Sequence, residues 1–173
     1  MSIRVGREVF SSIQRWQRGL QNVQREFDPK WIKALNDAGD IAHKYFDRQF
    51  DSQGGEFGRP WRQLAPSTQR DRMRRGYRPA RPILVRRGWL RASVASKTSA
   101  HARRTVNRNG ITLWSTLTTK TGGHNLYEIH HRGTSKIPAR PIHNESPPWI
   151  STAGWSEIEA RFMGMFVELR RLL

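Results

Sequence analysis

Arginine dominates the middle of this chain. Between residues 59 and 108 there are 14 Arg, one Lys (Lys97) and a single carboxylate, Asp71, so this stretch carries +14 of a formal net charge of +17 over 173 residues. A guanidinium is a planar fork of donors that matches carboxylate and phosphate oxygens and sheds water more readily than an ammonium. The chemistry on offer is therefore anion recognition, and the partner is nucleic acid or an acidic protein surface. Arg70, Arg74 and Arg78 are helix-spaced, Arg72 and Arg75 flank them, and Arg86-Arg87 and Arg103-Arg104 add pairs. Trp61, Tyr77 and Trp89 are interleaved, as in surfaces that stack bases. No named nucleic-acid-binding motif accompanies them, and Arg is equally at home in protein interfaces, so both readings stay open, with a merely solvated face as the bland third.

Other reactive groups form no constellation. The six His are 43, 101, 124, 130, 131 and 143. His130 and His131 are adjacent and cannot share a face, and there is no HExxH, so no metal site is expected. Tyr127 and His130 read as a packed, hydrogen-bonded pair. An acid cluster would need Asp37, Asp40, Asp47, Asp51 and Glu56; Asp40, Asp47 and Asp51 are helix-spaced and read most simply as a solvated face. There is no G-x-S-x-G elbow. Gly54-Gly55-xx-Gly58 lacks the Lys-Ser/Thr and the preceding strand of a phosphate loop. No catalytic residue and no cofactor is expected.

The elements that must carry the basic block follow from periodicity. Val9, Ile13, Trp16, Leu20, Val23 and Phe27 form a narrow helical seam, suited to an ordinary core or to a neighbouring subunit. Asp28-Pro29 reads as an N-cap and first residue of a second helix reaching about residue 50. Residues 51–88 read as a probable extended basic arm, with a short helix from Ser67 (as N-cap) to Arg75, stopped by Gly76. Trp89 to Ala100 alternates loosely, as a strand would. Residues 90–105 and 111–118 make a candidate hairpin around Asn107-Arg108-Asn109-Gly110, with Ile111, Leu113, Ser115 and Leu117 on one face and Thr112, Trp114, Thr116 and Thr118 on the other. Thr121-Gly122-Gly123-His124 reads as a loop, Leu126–His131 as one helical turn or a strand, and 134–155 as irregular. Ser156-Glu157-Ile158-Glu159 reads as a capping box opening a last helix with Ile158, Phe162, Met165, Phe166, Leu169 and Leu172 as its stripe. The fold class is α+β: N-terminal helices, a central basic extended arm, a small antiparallel β-sheet and a C-terminal helix, in a single domain over 1–173.

Composition sets the outer limits. Apolar content is 36%, mean hydropathy is −0.76 and there are seven Trp, which suits a folded chain with a small core. With no Cys, disulfides and thiolate sites are excluded. The first seven residues have no apolar stretch, so no signal peptide is expected, and no apolar run approaches the roughly 20 residues that span a bilayer.

Four phrases remain: Trp61-xx-Leu64-xx-Ser67-Thr68; Ile83-Leu84-xxx-Gly88-x-Leu90-xx-Ser93; Tyr127-xxx-His131-x-Gly133; and Ile137-Pro138-Ala139-Arg140-Pro141. In this order, over about residues 57–145, they resemble the phage virion morphogenesis (tail completion) family, which includes tail completion proteins of Mu-like and P2-like phages. More distantly they resemble neck proteins of long-tailed phages. Arg87 stands where that pattern has a small hydroxyl residue, and Arg132 replaces the usual linker before Gly133. The resemblance implies a non-enzymatic subunit of a homo-oligomeric ring, of six or twelve copies, around the DNA path. It implies adjacent neck proteins (head-closure or connector, and tail terminator) as partners and packaged DNA as a further contact. The place would be the virion neck or tail, after synthesis in the host bacterial cytoplasm, without a membrane.

Under this reading Trp61 and Leu64 plug one hydrophobic surface, Gly88 turns the chain into the strand headed by Leu90, and Ile137–Pro141 is an extended strap presenting Ile137 and Arg140 to a neighbour. Intramolecular packing is the alternative for the apolar residues. The alternative function is a basic nucleic-acid-binding protein gripping phosphate through the 59–108 arginines. A hydrolase is the third and least supported reading.

Overall fold

A 45-residue helix, α1 (Arg7–Asp51), is the backbone of the structure, about 67 Å long at 1.5 Å per residue. The protein is described by a computed structural model over residues 7–79, 82–120, 122–145 and 148–173, with side chains from residue 12 onward. The reading of residues 1–6, the side chain of Val9, Arg81, Thr121 and residues 146–147 lie outside the described residues.

The expected break at Asp28–Pro29 does not occur; Pro29 lies inside α1. A mid-helix proline costs one hydrogen bond and about 3 kcal/mol. Packing on both sides offsets this. Phe27 stacks on Trp31 at 6.0 Å, Trp31 tilts against Phe162 at 5.1 Å, and Lys30 pairs with Glu168 at 2.7 Å. The Asp28 carboxylate meets Arg108 instead of capping a helix.

The last helix, α5 (Thr152–Arg170), runs antiparallel along α1. Its N-cap is Ser151, whose hydroxyl accepts from Gly154 N–H, so the expected capping box lies one turn inside. The early start follows from close approach: a Cβ on Gly154 would sit 2.8 Å from the Tyr45 ring. Glu157 is thereby freed to pair with Lys44 at 2.7 Å. Of the predicted stripe, Met165 and Leu169 are buried against Ala34, but Phe166 faces out.

After a 3₁₀ turn (Gly55–Phe57) come α2 (Pro66–Arg74) and α3 (Trp89–Ala95). Ala65, not Ser67, is the N-cap of α2, because Pro66 takes the first helical position where a missing N–H costs nothing. The strand expected from Trp89 is a helix. Gly88, at φ +78°, turns the chain, and Leu90, Ser93 and Val94 then fall on one helical face toward the core. The hairpin keeps its predicted turn and alternation but starts later: β1 (Ala102–Asn107) pairs antiparallel with β2 (Gly110–Ser115), Asn107 opposite Gly110. α4 (Leu126–Arg132) is helical, with Asn125 accepting from Tyr127 N–H at 2.9 Å. With two strands and five helices among the described residues, the fold is α+β.

Nor is the segment 51–88 an extended arm. Trp61, Leu64, Ile83 and Leu84 are buried with Phe50, Leu90, Leu117 and Ile142 in the main core cluster, so the segment is folded onto the body. A second cluster joins α1 (Ile41, Tyr45, Phe46) to Ile150.

Candidate binding surfaces

The two halves of the sequence signature meet. The Trp61 indole donates to Pro141 O at 2.9 Å, and Gln49 donates to the same carbonyl at 3.0 Å. Arg140 Nε donates to Arg62 O at 3.2 Å, and Arg140 N–H to His130 O at 2.8 Å. His131 Nδ1 accepts from Ile142 N–H at 3.1 Å. Gly133, at φ +78°, lets the chain double back, and a Cβ there would lie 2.6 Å from Ala139 N. Two separate pieces of assembly surface were expected; the structure makes them one packed unit.

Most signature residues are consequently closed to a partner. Trp61, Leu64, Leu84, Leu90, Ser93 and His131 are buried, and Arg140, expected to be the strap's exposed contact, is only 4% exposed. The carbonyls of Arg62 and Pro138 have no ladder partner, and the guanidinium is drawn inward to cap them. Tyr127 stacks on His131 (5.2 Å), which stacks on His143 (4.2 Å). The expected Tyr127–His130 pair is thus replaced by an i, i+4 contact. Gly88, Gly133, Ile137, Pro138 and Pro141 are half-buried; Ser67, Thr68 and Ala139 face outward.

The basic block divides. Arg91 spans Asp47 and Asp51 at 2.6 and 2.7 Å, Lys97 and Arg104 share Asp40 at 3.0 and 2.7 Å, and Arg108 meets Asp28. Asp40, Asp47 and Asp51, expected to be a solvated face, do stay open to solvent, and they also carry ion pairs to α3, Lys97 and the hairpin. Asp40, despite partial burial that works the other way, is held below the usual carboxylate range by Lys97 and Arg104. Arg103 lies exposed on backbone carbonyls of Ala100 and Ala102.

Residues 59–87 have no such counterweight. Arg70, Arg74, Arg75, Arg78, Arg86 and Arg87 are exposed; Asp71 reaches only Arg75 (2.9 Å) and Arg74 (3.7 Å). Arg86 lies over Tyr77 at 5.0 Å and Arg87 over Trp89 at 5.2 Å. Arg72 is not surface at all: it is 6% exposed and donates to Pro82 O (2.9 Å) and Ile83 O (2.5 Å). Ile83 N–H in turn donates to Gln53 Oε1 at 2.5 Å. Burial and the neighbouring Arg86 charge pull the Arg72 pKa down; burial, Arg72 and Arg62 do the same to Arg140.

Between α2, residues 82–90 and α4 these side chains line a groove of about 510 Å³. Arg72 and Arg140 lie at its wall, Arg75, Arg86, Arg87 and Lys120 around it, and Leu84, Leu90 and Leu126 give it an apolar floor. His130 also lines it; burial and Arg140 hold its pKa down at about 4, and its Nδ1 is buried without a partner. Lys120, Leu126 and His130 were not singled out from the sequence as parts of this surface, nor was the buried Gln53 that braces Ile83 behind it. Only the abundance of prolines, whose carbonyls need donors from side chains, hinted at how it is built.

A second surface is the N-terminal half of α1. Gly19 passes against the backbone of Leu172 and Leu173, and every described side chain from Ser12 to Arg18 is exposed. Ile13 (47%), Trp16 (58%) and Leu20 (57%) of the seam are open, and Phe27 is partly so. Val23 is half-buried, but among the described residues nothing covers Ile13, Trp16 or Leu20.

Away from both surfaces, Ser93 Oγ donates to Leu90 O (2.9 Å) and accepts from Ser115 Oγ (2.9 Å). Among the described residues no group of three or more His, Asp or Glu could hold a metal ion, and no helix is long and apolar enough to cross a membrane. No protein family, curated protein or solved structure matches the chain.

Proposed function

We propose that the protein is a structural virion protein of the neck or tail-completion type, acting in head–tail joining or tail completion as a subunit of a ring around the DNA channel. The observation that carries this reading is the uncovered seam of Ile13, Trp16 and Leu20 on a helix that runs past the body. Large apolar side chains at helical spacing on a projecting helix call for another chain. The four phrases supply the choice of assembly, and their residues hold this fold together. The partners are copies of itself and adjacent neck proteins. A lumen through which DNA slides is poorly served by many arginine–phosphate contacts, so the exposed arginines of 59–87 face protein or the exterior.

Electron microscopy and mass measurement of the purified protein test this. Rings are expected, and Trp16→Asp with Leu20→Asp is expected to reduce them to monomers with unchanged helical signal. A monomeric wild type that binds duplex DNA tightly, with a steep salt slope, would instead favour the nucleic-acid reading.

A further inference from the structure

Arg72 and Arg140 are an unusual pair. Both guanidiniums are buried, the Arg72 charge adds to the electrostatic cost of Arg140, and among the described residues neither has a carboxylate partner. Buried charges in folded proteins are as a rule paired. Backbone carbonyls take two of the five N–H donors of each: Pro82 O and Ile83 O for Arg72, Arg62 O and Pro138 O for Arg140. Donors remain, and they line a groove rimmed by further cations. The one carboxylate in its lining, Asp71, pairs with Arg75 and Arg74, not with Arg72 or Arg140.

Its shape selects among anions. Duplex phosphates lie on a convex surface and are gripped by exposed, mobile cations. Here the buried guanidiniums sit in the wall of a cleft of about 510 Å³ that admits side chains. The floor of Leu84, Leu90 and Leu126 offers apolar burial that a phosphate backbone would not use. Trp89, half exposed under the Arg87 guanidinium, adds an aromatic lip.

We infer that this groove receives an acidic, partly apolar peptide segment of another protein chain, with a carboxylate set against Arg72, Arg140 and the Arg86/Arg87 rim and a neighbouring apolar side chain on the leucine floor. This deepens the assembly reading above, for which it names the docking site and the chemistry of the partner.

Fluorescence polarisation with a labelled dodecapeptide alternating glutamate and leucine tests it. The same peptide with glutamine for glutamate and a labelled DNA duplex are the comparisons. The glutamate peptide is expected to bind at least about tenfold tighter than the glutamine peptide, and Arg86→Gln/Arg87→Gln/Lys120→Gln to remove that preference. Arg70→Gln/Arg74→Gln, on the other side of α2, is expected to change it less than about twofold. No binding of the glutamate peptide, equal binding of the glutamine peptide, equal loss in the Arg70/Arg74 variant, or duplex DNA binding more tightly with the same dependence on Arg86 and Arg87 would each overturn the inference. Particle mass on the same samples separates the two proposals. Rings without glutamate preference would leave the assembly reading and remove the groove; monomers with the preference would do the reverse.

Discussion

The two halves of the arginine-rich stretch have nearly the same sequence character and opposite fates. Residues 91–108 hold five cations and no acid of their own, and residues 59–87 hold ten arginines and one. In the fold, four of the five cations in the later half find aspartates on α1. The earlier half lies beyond that acidic stripe and keeps its charge. Asp40, Asp47 and Asp51 repeat at helical spacing, so one face of α1 neutralises whatever packs there, and α3 and β1 pack there. Charge counted along a chain becomes surface charge only after the fold has chosen its internal pairs.

Removal of Trp61 tests what anchors the unneutralised half. If that half is held by apolar packing and not by ion pairs, Trp61→Ala, which empties a core site and leaves Pro141 O with Gln49 alone, is expected to cost about 3–5 kcal/mol in urea unfolding. A loss near zero would mean that residues 59–87 are held by something other than the core. Acid gives the next largest effect. Burial, with Arg140 beside His130 and with His143 and Arg132 beside His131, holds both imidazole pKa values at about 4, below the ordinary 6.5. The unfolded chain then binds more protons between those values, so the stability is present above about pH 6.5 and is lost as pH falls toward 4. The two rings together are worth on the order of several kcal/mol, His131 being buried and His130 half-buried. Urea midpoints across this range, flattened in His131→Gln, check it. The strap should weaken before Asp40 takes up a proton, since Asp40 is held below the usual carboxylate range.

How far this contrast can be read in the sequence depends on which residues one takes as evidence. The hairpin was legible: the Asn107–Gly110 turn and the shared face of Ile111, Leu113, Ser115 and Leu117 obey local rules, and the fold keeps them. So was most of the α5 stripe. The errors arise where a tertiary contact outweighs a local signal. Asp28-Pro29 is a sound helix start until Asp28 is needed by Arg108 and Phe27 by Trp31. Ser156 begins a sound capping box until Gly154 must lie against Tyr45. The loose alternation after Trp89 gives way to a helix because Gly88 turns the chain and Arg91 reaches two aspartates one turn apart on α1. The groove was least legible of all. Arg72 and Arg140 are surface residues by default, and only the ring-locked prolines near them, whose carbonyls go unpaired in irregular chain, gave a local reason to bury them.

A smaller effect sharpens the contrast from the neutralised side. Arg91→Ala removes one guanidinium that joins α3 to two carboxylates of α1. Both partners are partly exposed, so a loss of about 1 kcal/mol is expected, shrinking in high salt. It should also leave Asp47 and Asp51 unmatched and lower the net positive charge, without weakening any anion that binds the groove.

The smallest expected stability effect is the most discriminating. Arg86 and Arg87 make no ion pair among the described residues and lie over aromatic rings at the groove mouth. If the two halves differ as the ion pairs indicate, Arg86→Gln/Arg87→Gln should leave the thermal midpoint within about 1 °C of wild type. The same change that is nearly silent in folding removes two positive charges from the unneutralised half. A stability loss as large as that of Arg91→Ala would mean that the rim arginines are structural after all, and the distinction between the halves would fail. A silent variant keeps them available for a partner, because a charge that the fold does not use is free to be used by an assembly.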